Sequence, residues 1–194
     1  MTPIIISICG NIGCGKTTLL NLLSQDGFKC MLEGIKDWGD ILELSYSEPE
    51  KYSLAFQLRI ISEQTLQKES ILKMNEKNVF IERSSDDGRH VFVNAKKQLS
   101  HLDDVMIAEF DRWVNIHKMG IQPHKTVYLR TTPEIAAERI QKRQQAGDSF
   151  IDKEYLKMLH ELYEKRYSSD PNILILEGLS PQESANKIKE WISK

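Results

Sequence analysis

The 194-residue sequence contains no apolar run long enough to cross a bilayer. Its longest, Ile4-Ile5-Ile6-Ser7-Ile8-Cys9, falls far short of the roughly 20 residues a membrane helix needs. A basic flank and a small-residue cleavage pattern are also missing, which argues against a secretory signal. Cysteine is scarce: Cys9, Cys14 and Cys30 form an odd, unpatterned set. That speaks against a disulfide framework or a zinc site and for a reducing compartment, so a cytoplasmic location is expected. Neither charge dominates, with 26 Lys and Arg against 28 Asp and Glu, a net charge of -2. No global positive field exists to hold nucleic acid or an anionic membrane, and no basic stripe carries interleaved aromatics; neither partner is expected. Repeats, low-complexity tracts and dividing linkers are lacking too. Residues 1–194 therefore read as one domain, with the 40% apolar and 28% charged composition of a globular core.

What is present is an alternation of short apolar runs with amphipathic stretches. Strands are expected at Pro3 to Cys9, Phe28 to Leu32, Asn78 to Ile81, Lys125 to Leu129 and Ile173 to Leu176. The almost wholly apolar first run suits a parallel strand covered on both faces. Helices are expected at Thr17 to Ser24, Glu50 to Lys77, Asp103 to Lys118, Pro133 to about Gln144, Lys153 to Tyr167, and from Pro181 onward. Strands alternating with helices imply an α/β fold, a parallel sheet with helices on both faces in three layers. Gln144 to Phe150, with its glycine and small polar residues, is expected to be a mobile loop.

Between the first strand and the first helix stands Gly10-Asn11-Ile12-Gly13-Cys14-Gly15-Lys16-Thr17, followed by Thr18. It matches G-x-x-x-x-G-K-[ST] in the strand–loop–helix context that the motif requires. Glycines let the backbone curl until its N–H groups point inward, and the helix adds its positive N-terminal end. Lys16 is placed to reach the outer phosphates of a nucleotide, and the Thr17 hydroxyl to hold Mg²⁺. Such a loop does not say who receives the phosphate. The guanine-reading Asn-Lys-x-Asp of GTPases is absent. Where a motor ATPase would end a strand in Asp-Glu or Asp, Val79-Phe80-Ile81 runs into Glu82-Arg83-Ser84.

Further motifs join the loop in order: Glu33 with Trp38, Leu42-Glu43-Leu44-x-Tyr46, Phe56-Gln57, Glu82-Arg83-Ser84 with Arg89 and Phe92, Tyr128-Leu129-Arg130-Thr131-x-Pro133-Glu134, Glu138-Arg139-Ile140-x-x-Arg143, Tyr155-Leu156 and Leu159-His160. Across about residues 4–168 the chain resembles the deoxynucleoside kinases, which include the insect broad-specificity, mitochondrial thymidine, deoxycytidine and deoxyguanosine kinases and viral relatives. The resemblance implies a three-layer P-loop nucleoside kinase fold with a five-stranded parallel sheet. It also implies transfer of the ATP γ-phosphate to a deoxynucleoside 5′-hydroxyl, in nucleotide salvage.

The same resemblance assigns roles. Glu33 is the general base, Arg83 sits by the reacting 5′-oxygen, and Glu82 lies with Thr17 at Mg²⁺. Arg139 and Arg143, four apart on one helix face, belong to a lid at about 139–150 that closes on the transferring phosphate. Gln57 reads the base through its amide, with Phe92 stacking and Trp38 walling the ring; Phe56, Ile60 and Gly88 complete the pocket. Tyr46 and Asp148 hold the 3′-hydroxyl. Homodimers and feedback inhibition by a deoxynucleoside triphosphate are implied as well.

Departures from the family pattern are visible. Gly34 replaces a common proline, Gln145 a common lid arginine, and Asp148 a glutamate. Gly88 stands where members favouring cytidine or purines tend to carry aspartate, and Asp87 is one residue off. Thymidine or broad pyrimidine use is the resulting expectation. Two other functions compete. A nucleoside-monophosphate kinase, such as a thymidylate kinase, needs a dense basic site for the acceptor phosphate, whereas residues 33–60 offer only Lys36, Lys51 and Arg59. A non-catalytic nucleotide-binding module would have no use for Lys16, Thr17, Glu33 and Arg83 together.

Overall fold

The computed structural model describes residues 2–34, 37–143, 145 and 147–193. Lys36, and Gln144 and Ala146 of the expected mobile loop, lie outside the described residues. The isoleucine-rich run forms β1 (Ile4–Cys9) at the centre of a five-stranded, wholly parallel sheet. Its companions are β2 (Lys29–Met31), β3 (Asn78–Glu82), β4 (Lys125–Arg130) and β5 (Leu174–Glu177), in the order β2-β3-β1-β4-β5. Alternation within β1 sends Ile6 and Ile8 to one face and Ile5 and Cys9 to the other. Both faces are covered, which is why the strand reads as an unbroken apolar run rather than an alternating one.

On the first face lie α1 (Lys16–Gln25) and α9 (Pro181–Ile192), bringing Leu19, Leu20, Leu23, Ala185 and Ile188 against Ile6, Ile8, Phe80 and Val127. On the second, α8 (Lys153–Tyr167) packs Leu159, Leu162 and Tyr163 on Cys9 and Tyr128. α2 (Gly39–Ser47), α3 (Pro49–Ile71), α6 (Asp104–His117) and α7 (Pro133–Arg143) complete the long helices.

One expectation changes and two further elements enter. The long helix stops at Ile71, not Lys77, and a polar connection leads into β3. α2 had no counterpart in the sequence reading. The polar stretch after Arg83 is also helical: α4 (Ser85–Asp87), a π-helical turn (Gly88–Val93) and α5 (Asn94–Gln98) run on continuously. It begins with a capping box formed by Ser84 and Asp87, so its polar residues serve to start a helix.

Candidate active site

In an open parallel sheet the ligand crevice lies outside the carboxyl ends of the strands. Here the segments after all five strands line one cleft of about 1230 Å³: Ile12 to Thr17 after β1, Leu32 to Gly34 after β2, Glu82 to Ser84 after β3, Leu129 to Thr132 around the end of β4, and Leu176 to Pro181 after β5. That volume exceeds the usual single-ligand pocket and suits two substrates end to end.

One end of the cleft is the glycine loop. Gly10 and Gly13 have φ of +141° and +78°, conformations that a side chain resists. A Cβ at Gly13 would also stand 2.7 Å from the Ala136 carbonyl oxygen on α7. Glycine is therefore required twice over at this position. Asn11 is buried, its amide donating to the Leu156 carbonyl at 2.8 Å and its Oδ1 accepting from the Ile12 N–H at 2.8 Å, which ties the loop to α8. Lys16 is 4% exposed, and its ammonium donates to the Gly10 and Asn11 carbonyls at 3.2 and 3.0 Å. Cys14 packs beneath as a small buried side chain, its sulfur 3.7 Å from the same ammonium. Thr18 follows Thr17 into α1 and also lines the cleft.

Beside the loop, the Thr17 hydroxyl donates to both Glu82 oxygens, at 2.9 and 3.2 Å. A hydroxyl next to a carboxylate is a hard-oxygen donor set and fits Mg²⁺, which is bound through one or two carboxylates plus substrate phosphates. Among the described residues no cluster of three or more His, Cys, Asp or Glu forms a metal cage.

Arg83 follows directly, in the left-handed region at φ 60°. For a non-glycine residue this conformation costs on the order of 1 kcal/mol, and such strain gathers at functional sites. The turn swings Arg83 out of the line of β3 until its guanidinium pairs with the Glu33 carboxylate, both side chains about nine-tenths buried. Burial is the largest single influence and opposes the Arg83 charge, but Glu33, Tyr163 and Glu82 together hold the guanidinium above its usual range. The same guanidinium covers the Phe92 ring, 4.9 Å from its centroid. Glu33 and Lys16 thus line one cleft.

The other end is built from side chains of separate elements. Trp38 and Phe56 meet edge to face, centroids 6.0 Å apart, with the buried Gln57 beside them and Ile60 a turn further along α3. Gly88 lines the wall, and a Cβ placed there meets nothing within 4 Å. Asp87 does not reach this wall. It is fully buried, one oxygen accepting from the Ser84 N–H and hydroxyl at 2.8 and 3.1 Å, and burial pushes its carboxyl up to about 6. Arg89 also turns away, into a bidentate pair with Asp111.

The expected arginine pair divides. Arg139 donates to the Cys14 carbonyl at 2.9 Å, on the glycine loop. Arg143 instead clamps Asp148 through two bonds of 2.9 and 2.7 Å, and Asp148 also accepts from the Gln145 N–H at 2.8 Å. Asp148 still lines the cleft but is already engaged by its own segment. Two residues on, Phe150 stacks on Tyr46, planes 7° apart and centroids 5.5 Å apart. Burial pushes the Tyr46 phenol up to about 12, so it remains a donor. Sequence reasoning missed Gln64, Lys96 and the donor-side wall at 176–181, all of which line the cleft. Lys96 carried a signal in retrospect, as a lysine four residues beyond Phe92 on the same helix face.

A family model for deoxynucleoside kinase matches residues 6–192. A probable deoxycytidine kinase of fowlpox virus (strain NVSL) is 29% identical over 170 residues, 85% of this chain and 72% of that protein. Deoxycytidine kinase 2 of Gallus gallus is 30% identical over 201 residues, 85% of this chain and 76% of that one. In three dimensions the chain is similar to a solved deoxyadenosine kinase from M. mycoides with products dCMP and a flexible dCDP bound. That likeness has a TM-score of 0.86 at 20% identity and covers 98% of this chain and 99% of the other.

Proposed function

Since the chain belongs to the deoxynucleoside kinase family, we propose that it moves the γ-phosphate of ATP onto the 5′-hydroxyl of a deoxynucleoside, with thymidine or pyrimidines preferred, as one kinase domain serving nucleotide salvage. The observation that carries this reading is the Glu33–Arg83 pair standing in the same cleft as Lys16, Thr17 and Glu82.

The backbone of residues 10–18 and the Lys16 ammonium receive the ATP phosphates. Thr17 and Glu82 hold Mg²⁺, which supplies charge neutralisation on the phosphate oxygens. Glu33 accepts the proton of the 5′-hydroxyl as that oxygen forms its bond to phosphorus and the bond to the departing ADP breaks. Arg83, paired with the Glu33 carboxylate, orients it and meets the charge that builds on the moving phosphoryl group. Arg139 already stands on the glycine loop, and closure of the lid at about 139–150 moves Arg143 from its pair with Asp148 onto the same charge. At the acceptor end Gln57 pairs with the base between Phe92, Trp38, Phe56 and Ile60, and Tyr46 with Asp148 holds the 3′-hydroxyl. Glu33→Gln keeps ATP binding and lowers turnover by ~10²–10⁴-fold; near-wild-type turnover removes Glu33 from this role.

Base preference rests on the wall at Gly88. Cytosine presents a 4-amino donor that seeks an acceptor, whereas thymine presents O4 and a methyl group that need room. The open space at Gly88 and the inward turn of Asp87 leave no carboxylate from this segment facing the base. Initial rates of ADP release with thymidine, deoxycytidine, deoxyadenosine and deoxyguanosine test the reading; a purine preference overturns the base assignment, and no acceptor-dependent ADP with any of them overturns the kinase assignment.

A homodimer is proposed through α3 and α6, where Leu66, Val105, Trp113 and Ile116 expose 65%, 72%, 55% and 62% of their surface. The mass in solution tests it, and a monomer at micromolar concentration rejects it. Feedback inhibition by a deoxynucleoside triphosphate belongs to the same reading, since one continuous cleft reaches from the base wall to the glycine loop. A cytoplasmic setting fits the three free thiols.

A further inference from the structure

Lys96 is 5% exposed, lines the acceptor end of the cleft, and takes no part in the chemistry above. Its ammonium donates to the Ser45 carbonyl at 3.3 Å and stands 5.0 Å from the centroid of the Tyr46 ring. Among the described residues it has no acidic partner: burial is the one cause that shifts it, pulling the amine down to about 8. His101, just beyond α5, feels the Lys96 charge but adds a second base and no counter-charge. A buried, unpaired ammonium disfavours folding, so its place on the cleft wall calls for another account.

Two of its neighbours supply one. Ser45 and Tyr46 occupy the last turn of α2, the helix whose C-terminal end forms this part of the cleft. A hydrogen bond to the Ser45 carbonyl fixes that turn, one of the helix-end carbonyls without a partner within α2. A cation against the ring draws electron density from the phenol, strengthening the Tyr46 O–H as a donor while burial keeps it protonated. We propose that Lys96 is a positioning residue for the acceptor, bracing Tyr46 so that its hydroxyl meets the 3′-oxygen of the deoxyribose. This rests on the assignment of Tyr46 to the 3′-hydroxyl in the preceding section.

Lys96→Met keeps most of the side chain's length and removes the charge. The variant is expected to fold with an unchanged or higher thermal midpoint, because an unpaired buried charge has been replaced by an apolar group. With the best nucleoside of the panel its acceptor KM rises roughly tenfold, while kcat stays within about twofold. With the matching 2′,3′-dideoxynucleoside, which has no 3′-oxygen to hold, the KM of variant and wild type agree. An equal penalty on both acceptors, or none on either, overturns the proposal. Should Lys96→Met fail to fold, Lys96→Gln keeps a donor for the Ser45 carbonyl and carries the same comparison; loss of folding in both makes Lys96 structural and also overturns it. Failure of the kinase reading shows itself separately, as wild-type protein that releases no acceptor-dependent ADP.

Discussion

The two ends of the cleft are built in different ways. The proposed donor end is built mainly on one stretch of chain, residues 10–18, with 176–181 as its side wall; in this reading its chemistry lies in backbone N–H groups, one lysine and one hydroxyl, and glycines at positive φ enforce its shape. The acceptor end is assembled from side chains on α2, α3, the helical segment 85–98, and the turn at 147–150. A contiguous, backbone-built site is either formed or destroyed by a single methyl group. An assembled one can be adjusted a side chain at a time, which is where substrate choice can vary while the phosphate chemistry stays fixed.

The sharpest way to break that contrast is to add the same methyl at each end. Gly13→Ala places a Cβ 2.7 Å from the Ala136 carbonyl, at a φ of +78°. Loss of roughly 1–3 kcal/mol in stability is expected from the backbone alone. The stabilisation that ATP with Mg²⁺ gives the wild type in a thermal melt should disappear, with kcat/KM down by about 10²–10³-fold. A Gly13→Ala enzyme that still binds ATP would show the loop to be adaptable after all. Gly88→Ala is expected to behave oppositely. Its φ of -52° is helical and its neighbourhood open, so alanine firms the helix by roughly 0.5–1 kcal/mol. ATP binding is untouched, and the ratio of thymidine to deoxycytidine rates moves by up to roughly tenfold as the wall narrows. If Gly88→Ala leaves every acceptor rate unchanged, this wall does not face the base.

The same contrast explains what could be read from the sequence. All five strands were legible, the central β1, β3 and β4 because two-sided burial makes parallel strands into apolar runs, and the glycine loop was legible because its motif lies in adjacent residues. α2 was not: Leu42 and Tyr46 line the cleft, and Ser45 is its one fully buried residue, so the usual apolar stripe is missing. The helical segment 85–98 escaped for a related reason. Ser85, Asp87 and Lys96 are polar yet buried, an inversion of the pattern that marks helices. The Arg143–Asp148 clamp also lay beyond reach, since spacing alone puts Arg143 beside Arg139, whereas a carboxylate five residues on captures it. Polar burial at the acceptor end is both what hid these elements and what equips them for a polar ligand.

That polar burial has its own signature in pH, and Asp87 gives the smallest and most specific test of the contrast. Its carboxyl is raised from 3.8 to about 6, burial outweighing the Ser84 hydrogen bonds and the Arg83 charge. Between those values the folded protein holds a proton that the unfolded chain has released. This group therefore lowers stability as pH rises from about 4 to about 6. Asp87→Asn cannot titrate, and its amide oxygen can still accept from the Ser84 N–H at the head of the helix. The difference in unfolding free energy, variant minus wild type, should climb with pH across that window and be flat above about 7, with a total change on the order of 1–3 kcal/mol. Taking the difference removes the carboxylates that titrate the other way, such as Glu164, held low by Arg130 and the Tyr128 hydroxyl against the effect of burial. A difference that stays level from pH 4 to 7 would mean that the Asp87 carboxylate is fully compensated where it lies, and that the acceptor end is no more strained electrostatically than the glycine loop.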